Sequence, residues 1–209
     1  MSDYSTILCE LSGGIARVTL NRPERLNGMT NRMVIETGDA LARLSVDPRV
    51  RVLVLSGAGR GFCPGADLGH FSSGAAASDD RLEPEHLSVP RLLHEMPALT
   101  IAAVNGACAG AGLGWACGCD LRVAARSANF STAFLRVAVA GDMALPWTLP
   151  RLVGAAKARE LSFLCEKFSA EEAARIGSSR ASSTTRCSAP RSTRSRSASC
   201  AARPRRCAR

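Results

Sequence analysis

Two apolar, partly alternating stretches, Thr6–Leu11 and Ile15–Leu20, are separated by Ser12-Gly13-Gly14. That pattern predicts a β-hairpin. Asn21-Arg22-Pro23 ends the second strand, because proline has no N–H with which to continue a ladder. Asn31–Leu44 carries Met33, Val34, Leu41 and Leu44 at helical spacing and predicts an amphipathic helix, stopped by Asp47-Pro48. Val50–Leu55 reads as a short strand buried on both faces, and Gly57–Gly65 as a glycine-rich loop. Phe71–Asp80 reads as a mobile surface loop, being rich in Ser, Ala and Gly. Leu87–Met96 reads as a helix. Leu99–Val104 is a further buried strand that runs into Asn105-Gly106 and the glycines 110, 112 and 114. Short strands at Leu121–Ala125 and Asn129–Thr132 and a helix at Gly154–Cys165 follow. Ser169 with Glu172 three residues later is a capping-box start for a helix to Ile176. Strands and helices in this order predict an α/β fold with sheets covered by helices.

The chain has 209 residues, enough for one domain with a sizeable core. Its net charge of +9 is confined to one end. Residues 178–209 hold nine Arg and nine Ser, with no acidic side chain and no Leu, Ile, Val, Phe or Tyr, whereas residues 1–177 are neutral. Such a tail cannot bury enough apolar surface to offset its ordering entropy, and disorder is expected. Two readings stay open for it: an Arg/Ser segment that binds RNA, or the out-of-frame read of a G+C-rich gene. The domain is expected to span 1–177 and the tail 178–209.

Six cysteines in the body lie without framework spacing, as buried thiols do in a reducing compartment. Cys117-Gly-Cys119 lacks a following His, so no metal site is expected. Pro97–Cys119 is uncharged, but Asn105 and several glycines interrupt it, which argues against a membrane span. The first residues do not read as a signal peptide, and a cytoplasmic location is expected.

Candidate chemistry lies in two strand–glycine–helix units. One runs from Val50–Leu55 into Phe62-Cys63-Pro64-Gly65-Ala66-Asp67-Leu68, the other from Leu99–Val104 into Gly110-Ala111-Gly112-Leu113-Gly114. Glycine allows close backbone approach, and the first N–H groups of each helix are free to meet a ligand. Converging, two such groups form an oxyanion hole; alternatively, the small residues only permit close packing. The second loop has Cys117 where a dinucleotide fingerprint needs Gly, and it lacks a P-loop's Gly-Lys-Ser/Thr.

Asn21-Arg22-Pro23 with Leu26-Asn27, the segment Gly61–Leu68, the segment Ile101–Asp120, Leu149-Pro150-Arg151-Leu152-Val153-Gly154 and Ser169–Ala173 together resemble landmarks of the enoyl-CoA hydratase/isomerase (crotonase) superfamily. The resemblance implies a spiral of ββα units in which an Arg/Ser-rich tail replaces the usual C-terminal helices. It implies an acyl-CoA thioester held between the N–H groups of Ala66 and Ala111, no cofactor beyond the substrate's own coenzyme A, and a homotrimer or dimer of trimers. Arg25, Leu26, Asp67, Leu68 and Gly112 stand where the family binds coenzyme A; Arg25 is equally an exposed turn residue. Phe134 and Trp147 are acyl-pocket walls or core.

Hydratases of the family use two glutamates, and Gly114 and Phe134 stand in their places here. Asp142 stands where isomerase-like members carry a functional Asp. The implied reaction is therefore enoyl-CoA double-bond isomerisation with Asp142 as acid/base, unless Asp142 merely caps the helix that follows. Hydration by other groups and a non-catalytic CoA-binding remnant are the alternatives. His70 could reach the site from its loop; His86 and His94 are expected on an exposed helix with no chemical role.

Overall fold

The amino-terminal hairpin forms as the alternation predicts. Strand β1 (Ile7–Ser12) pairs antiparallel with β2 (Ile15–Leu20), Ile7 opposite Leu20 and Ser12 opposite Ile15. The computed structural model describes residues 4–69 and 81–181, so the 71–80 loop, His70 and residues 182–209 lie outside the described residues. Beyond the hairpin the chain repeats one unit: a strand in a large sheet, a crossing, a short strand in a second sheet, and then a helix. The large sheet adds β3 (Val52–Gly57), β5 (Leu99–Val104), β7 (Leu121–Ala124) and β10 (Arg180–Ala181) in the order β1-β2-β3-β5-β7-β10, parallel from β2 onward. The second sheet has the order β4-β6-β8-β9, from Gly61–Cys63, Ala107–Ala109, Asn129–Ser131 and Phe168–Ser169. This is the ββα spiral that the resemblance implies.

Among the described residues six α-helices have both ends defined: α1 (Asn31–Ser45), α2 (Val89–Glu95), α3 (Ala111–Gly118), α4 (Leu145–Val153), α5 (Ala155–Leu164) and α6 (Ala170–Arg175). Helix α1 starts where the Thr30 hydroxyl accepts the Met33 N–H, and α6 where the Ser169 hydroxyl accepts the Glu172 N–H, the predicted cap. Helix α3 packs against α2, α4 and β6. All eight of its residues are buried, which is why it is apolar all round rather than amphipathic.

Strands β3 and β5 do not match the expectation of burial on both faces. Leu53, Leu55, Ala102 and Val104 lie in the core beside Val18 and Leu20, whereas Val52 and Val54 are half-buried and Leu99 is exposed. One face of the large sheet is thus in the core, and the other is only partly covered. The Pro97–Cys119 run is broken into β5, β6 and α3, and no helix among the described residues is long and apolar enough to cross a membrane.

Strand pairing among the described residues runs past residue 177, where the domain was expected to end. Ser178 and Ser179 are buried, and β10 extends the sheet parallel to β7, Arg180 opposite Val123. The buried Arg122 guanidinium donates to the carbonyls of Ser178, 2.6 Å away, and Cys119, also 2.6 Å. Main-chain pairing, indifferent to side-chain polarity, carries the fold to Ala181.

One buried carboxylate ties α1 to the start of β1. Glu36, 4% exposed, accepts the N–H and hydroxyl of Ser5 and of Thr6 at 2.6–2.9 Å and pairs with Arg32. Burial alone would raise its pKa, but the Ser5 and Thr6 hydrogen bonds outweigh it and hold the value at about 2. A folded-state pKa below the unfolded one adds stability above the unfolded carboxylate value, lost as pH falls toward about 2. Glu36→Gln is expected to cost on the order of 2 kcal/mol near neutrality. In urea melts across pH, its gap from wild type should close between about pH 4.5 and 2.

Candidate active site

The second sheet sets the geometry of the site. Strands β4 and β6 are parallel neighbours, Cys63 opposite Cys108, so the residues that leave them arrive at the same sheet edge. What leaves β4 is Pro64-Gly65-Ala66; what leaves β6 is Gly110-Ala111, the first turn of α3. The two turns touch through glycine. A Cβ at Gly65 would lie 3.2 Å from the Ala109 carbonyl oxygen and 3.5 Å from the Ala111 nitrogen, and one at Gly112 only 2.3 Å from the Cys63 carbonyl oxygen. Gly65 (φ 101°) and Gly110 (φ 51°, ψ −126°) also hold backbone conformations that side chains disfavour.

The amides of Ala66 and Ala111 stay open. Met29 donates to the Gly65 carbonyl and accepts from Asp67, a parallel bridge that turns the Ala66 N–H away from Met29. Ala111 is the first residue of α3, and its N–H has no carbonyl one turn earlier. Neither amide has a partner among the described residues. Close packing and open amides, offered by the sequence as alternatives, occur together.

Two asparagines and an ion pair hold the first loop. Asn27, fully buried, donates to the carbonyls of Ala58 and Gly61 and accepts from Arg22. Asn105 donates to the carbonyls of Gly59 and Gly61 from the other side. Asp67, a candidate for coenzyme A binding, pairs with Arg22 at 3.0 Å, so its carboxylate braces the loop. Sequence reading used Arg22, Asn27 and Asn105 only as landmarks and missed this role. The signal available was polar residues flanking glycine turns, where backbone carbonyls need donors.

Arg25 and Leu68 are exposed, and Leu26 is half-buried with its carbonyl against Gly61. His86 accepts the Glu83 N–H, and His94 meets Trp147 edge-on with ring centroids 5.2 Å apart. Trp147 is 45% exposed beneath the Arg151 guanidinium, which excludes the core reading for it. Burial raises the thiol pKa of Cys63 and Cys117 to about 12, leaving both protonated at neutral pH.

Two contacts lead from the open amide of Ala111 to Asp142. Phe134 bridges the second loop and the Asp142 loop: Cβ positions at Gly110 and Gly141 would lie 3.9 and 3.8 Å from opposite corners of its ring. On α3 itself, Gly114 lies against the backbone of Met143, whose carbonyl oxygen would be 2.6 Å from a Cβ at residue 114. Gly141, Met143 and Ala144 all have positive φ (117°, 46° and 57°). The Asp142 carboxylate makes no hydrogen bond or ion pair among the described residues, and α4 has no side-chain cap. The capping alternative is thereby overturned. Asp142 reaches solvent, yet the surrounding protein desolvates it enough to raise its pKa.

A family model described as enoyl-CoA hydratase/isomerase matches residues 10–181. The chain is 41% identical over 174 residues to a Rhodobacter capsulatus protein named "Probable enoyl-CoA hydratase", a match covering 83% of this chain and 67% of that one. It is 40% identical over 171 residues to the 1,2-epoxyphenylacetyl-CoA isomerase of Escherichia coli K12, covering 80% and 65%. It resembles the crystal structure of an enoyl-CoA hydratase from Mycobacterium avium subsp. paratuberculosis with a TM-score of 0.78 at 29% identity, covering 87% of this chain and 72% of that one. The matched chain thus spans 67% and 65% of the length of the two relatives.

Asn27→Ala should leave two loop carbonyls short of a buried donor and lower stability by roughly 2–3 kcal/mol in chemical denaturation. Exposed controls such as Arg25→Ala should stay within about 0.5 kcal/mol of wild type.

Proposed function

Because the chain belongs to the enoyl-CoA hydratase/isomerase family, we propose that it isomerises the double bond of an enoyl-CoA, with Asp142 moving the proton. The observation that carries this reading is the pair of open amides at one sheet edge, linked by Phe134 and Gly114 to a carboxylate without a partner. The thioester oxygen accepts the N–H groups of Ala66 and Ala111. Asp142 removes a proton from C2 of a 3-enoyl thioester, and the C–H electron pair moves onto the carbonyl oxygen to form a dienolate. The amides stabilise the charge that develops there, each by roughly 3–4 kcal/mol of barrier. The electron pair then returns, the double bond forms between C2 and C3, and protonated Asp142 gives its proton to C4. One carboxylate serves both steps, and no cofactor beyond the coenzyme A of the substrate takes part.

Hydration is the weaker reading. It requires one group to activate water and another to handle the α-carbon proton, and Gly114 and Phe134 carry no carboxylate. Trimeric assembly belongs to this reading and is supported by the exposed apolar side chains Leu135, Val137, Phe163 and Leu164.

The test follows formation of the conjugated 2-enoyl thioester from a 3-enoyl-CoA. Asp142→Asn is expected to lose about 10²–10⁴-fold in kcat; wild-type turnover in that variant would end the proposal. Ala111→Pro removes one amide at a helix position that tolerates proline, and kcat should fall by about 10²–10³-fold with the fold retained. Asp142 works as a base only when ionised, so the acidic limb of kcat/KM should lie above the ordinary aspartate range.

A further inference from the structure

Resting on that isomerisation reading, we infer that Gly114 is a positioning residue for Asp142, its missing side chain leaving room for the backbone that carries the carboxylate. Gly114 lies one turn along α3 from Ala111, on the same face of the helix. Any side chain there would project into the backbone of the Asp142 loop. A Cβ at 114 would stand 2.6 Å from the Met143 oxygen, 2.8 Å from its Cβ and 3.3 Å from its carbonyl carbon. Nothing in that set is the far end of a flexible side chain, so the loop itself would have to move.

The loop has little freedom to absorb such a shift while keeping Asp142 in place. Met143 and Ala144 are held in left-handed conformations. The Leu145 N–H donates to the Asp142 carbonyl at 3.0 Å, and the Thr148 N–H and hydroxyl both donate to the Ala144 carbonyl. On the other side Gly141 lies against Phe134 and Pro146. The Asp142 side chain has no partner of its own among the described residues, so its place is set entirely through this backbone. The helix that presents the Ala111 amide is therefore also the surface against which the base is registered.

Steady-state kinetics of full-length variants on a 3-enoyl-CoA test this, with Gly118→Ala as the control. Gly118 lies on the same helix, but a Cβ there would press on Pro90, 3.1 Å from its oxygen, and not on the Asp142 loop. Gly114→Ala is expected to lower kcat by roughly 10²-fold, to change KM by less than about threefold, and to move the acidic limb of the pH profile. Gly118→Ala should keep both kcat and the limb. Should Gly114→Ala not fold, Met143→Gly leaves residue 114 untouched, suits the positive φ, and should still lower kcat and move the limb. An inactive Asp142→Asn alongside an unmoved limb in Gly114→Ala, or in Met143→Gly where that variant decides, overturns the positioning role and spares the isomerase reading. A fully active Asp142→Asn removes the reading on which the positioning role rests.

Discussion

The contact on which the site depends is that of Gly112 with the Cys63 carbonyl, a separation that leaves no room for even a methyl group. It joins the start of α3 to the end of β4. Because β4 and β6 are already parallel neighbours, this second junction fixes the order and direction of everything that leaves them. Both open amides follow from it. The Ala66 N–H is turned away from Met29 by the parallel bridge, and the Ala111 N–H is the orphan donor of a helix start. An unpaired amide in a buried setting costs about 1–3 kcal/mol, and Ala111 is only 5% exposed. A fold that keeps this donor open has braced the surroundings instead. Asn27 and Asn105 both donate to the Gly61 carbonyl, from opposite sides, and Arg22 holds Asp67.

Much of this was legible where the physics is local. The hairpin, the Asn31–Leu44 helix and the Ser169 cap are written in alternation, periodicity and a three-residue spacing, and the structure forms them there. The second sheet was not legible, because β4 and β6 have three residues each and lie among glycine and alanine. A segment that short has no period to detect. Each glycine run read as one loop is in fact a crossing, a strand and a turn. The pairing beyond residue 177 was not legible for a related reason. Composition reports what side chains can bury, and Arg180–Ala181 join the sheet through main-chain bonds, helped by an arginine 56 residues away from Ser178. The bracing role of Asn27 and Asp67 depends on partners equally remote in sequence.

Glu36 and Asp142 show how one backbone plan moves two carboxylates in opposite directions. Burial pushes both upward. Glu36 faces four donors from Ser5 and Thr6 and is held near 2, where it acts as a fixed anion and a structural tie. Asp142 faces none, so desolvation prevails and its proton is held more firmly than in an ordinary aspartate. Only the second condition suits the proton-moving role proposed for Asp142.

That condition brings a structural consequence. Hydrogen bonds that would orient Asp142 would also stabilise its charge and lower its pKa. Its position must therefore come from the main chain, and three residues of positive φ within four positions, two of them not glycine, supply it. Left-handed conformations at Met143 and Ala144 cost roughly 1–2 kcal/mol each, and they persist because α3 on one side and the first turn of α4 on the other leave no alternative path. Strain at this loop and the absence of polar partners for its carboxylate among the described residues are thus two aspects of one arrangement: a carboxylate placed firmly yet left free to titrate.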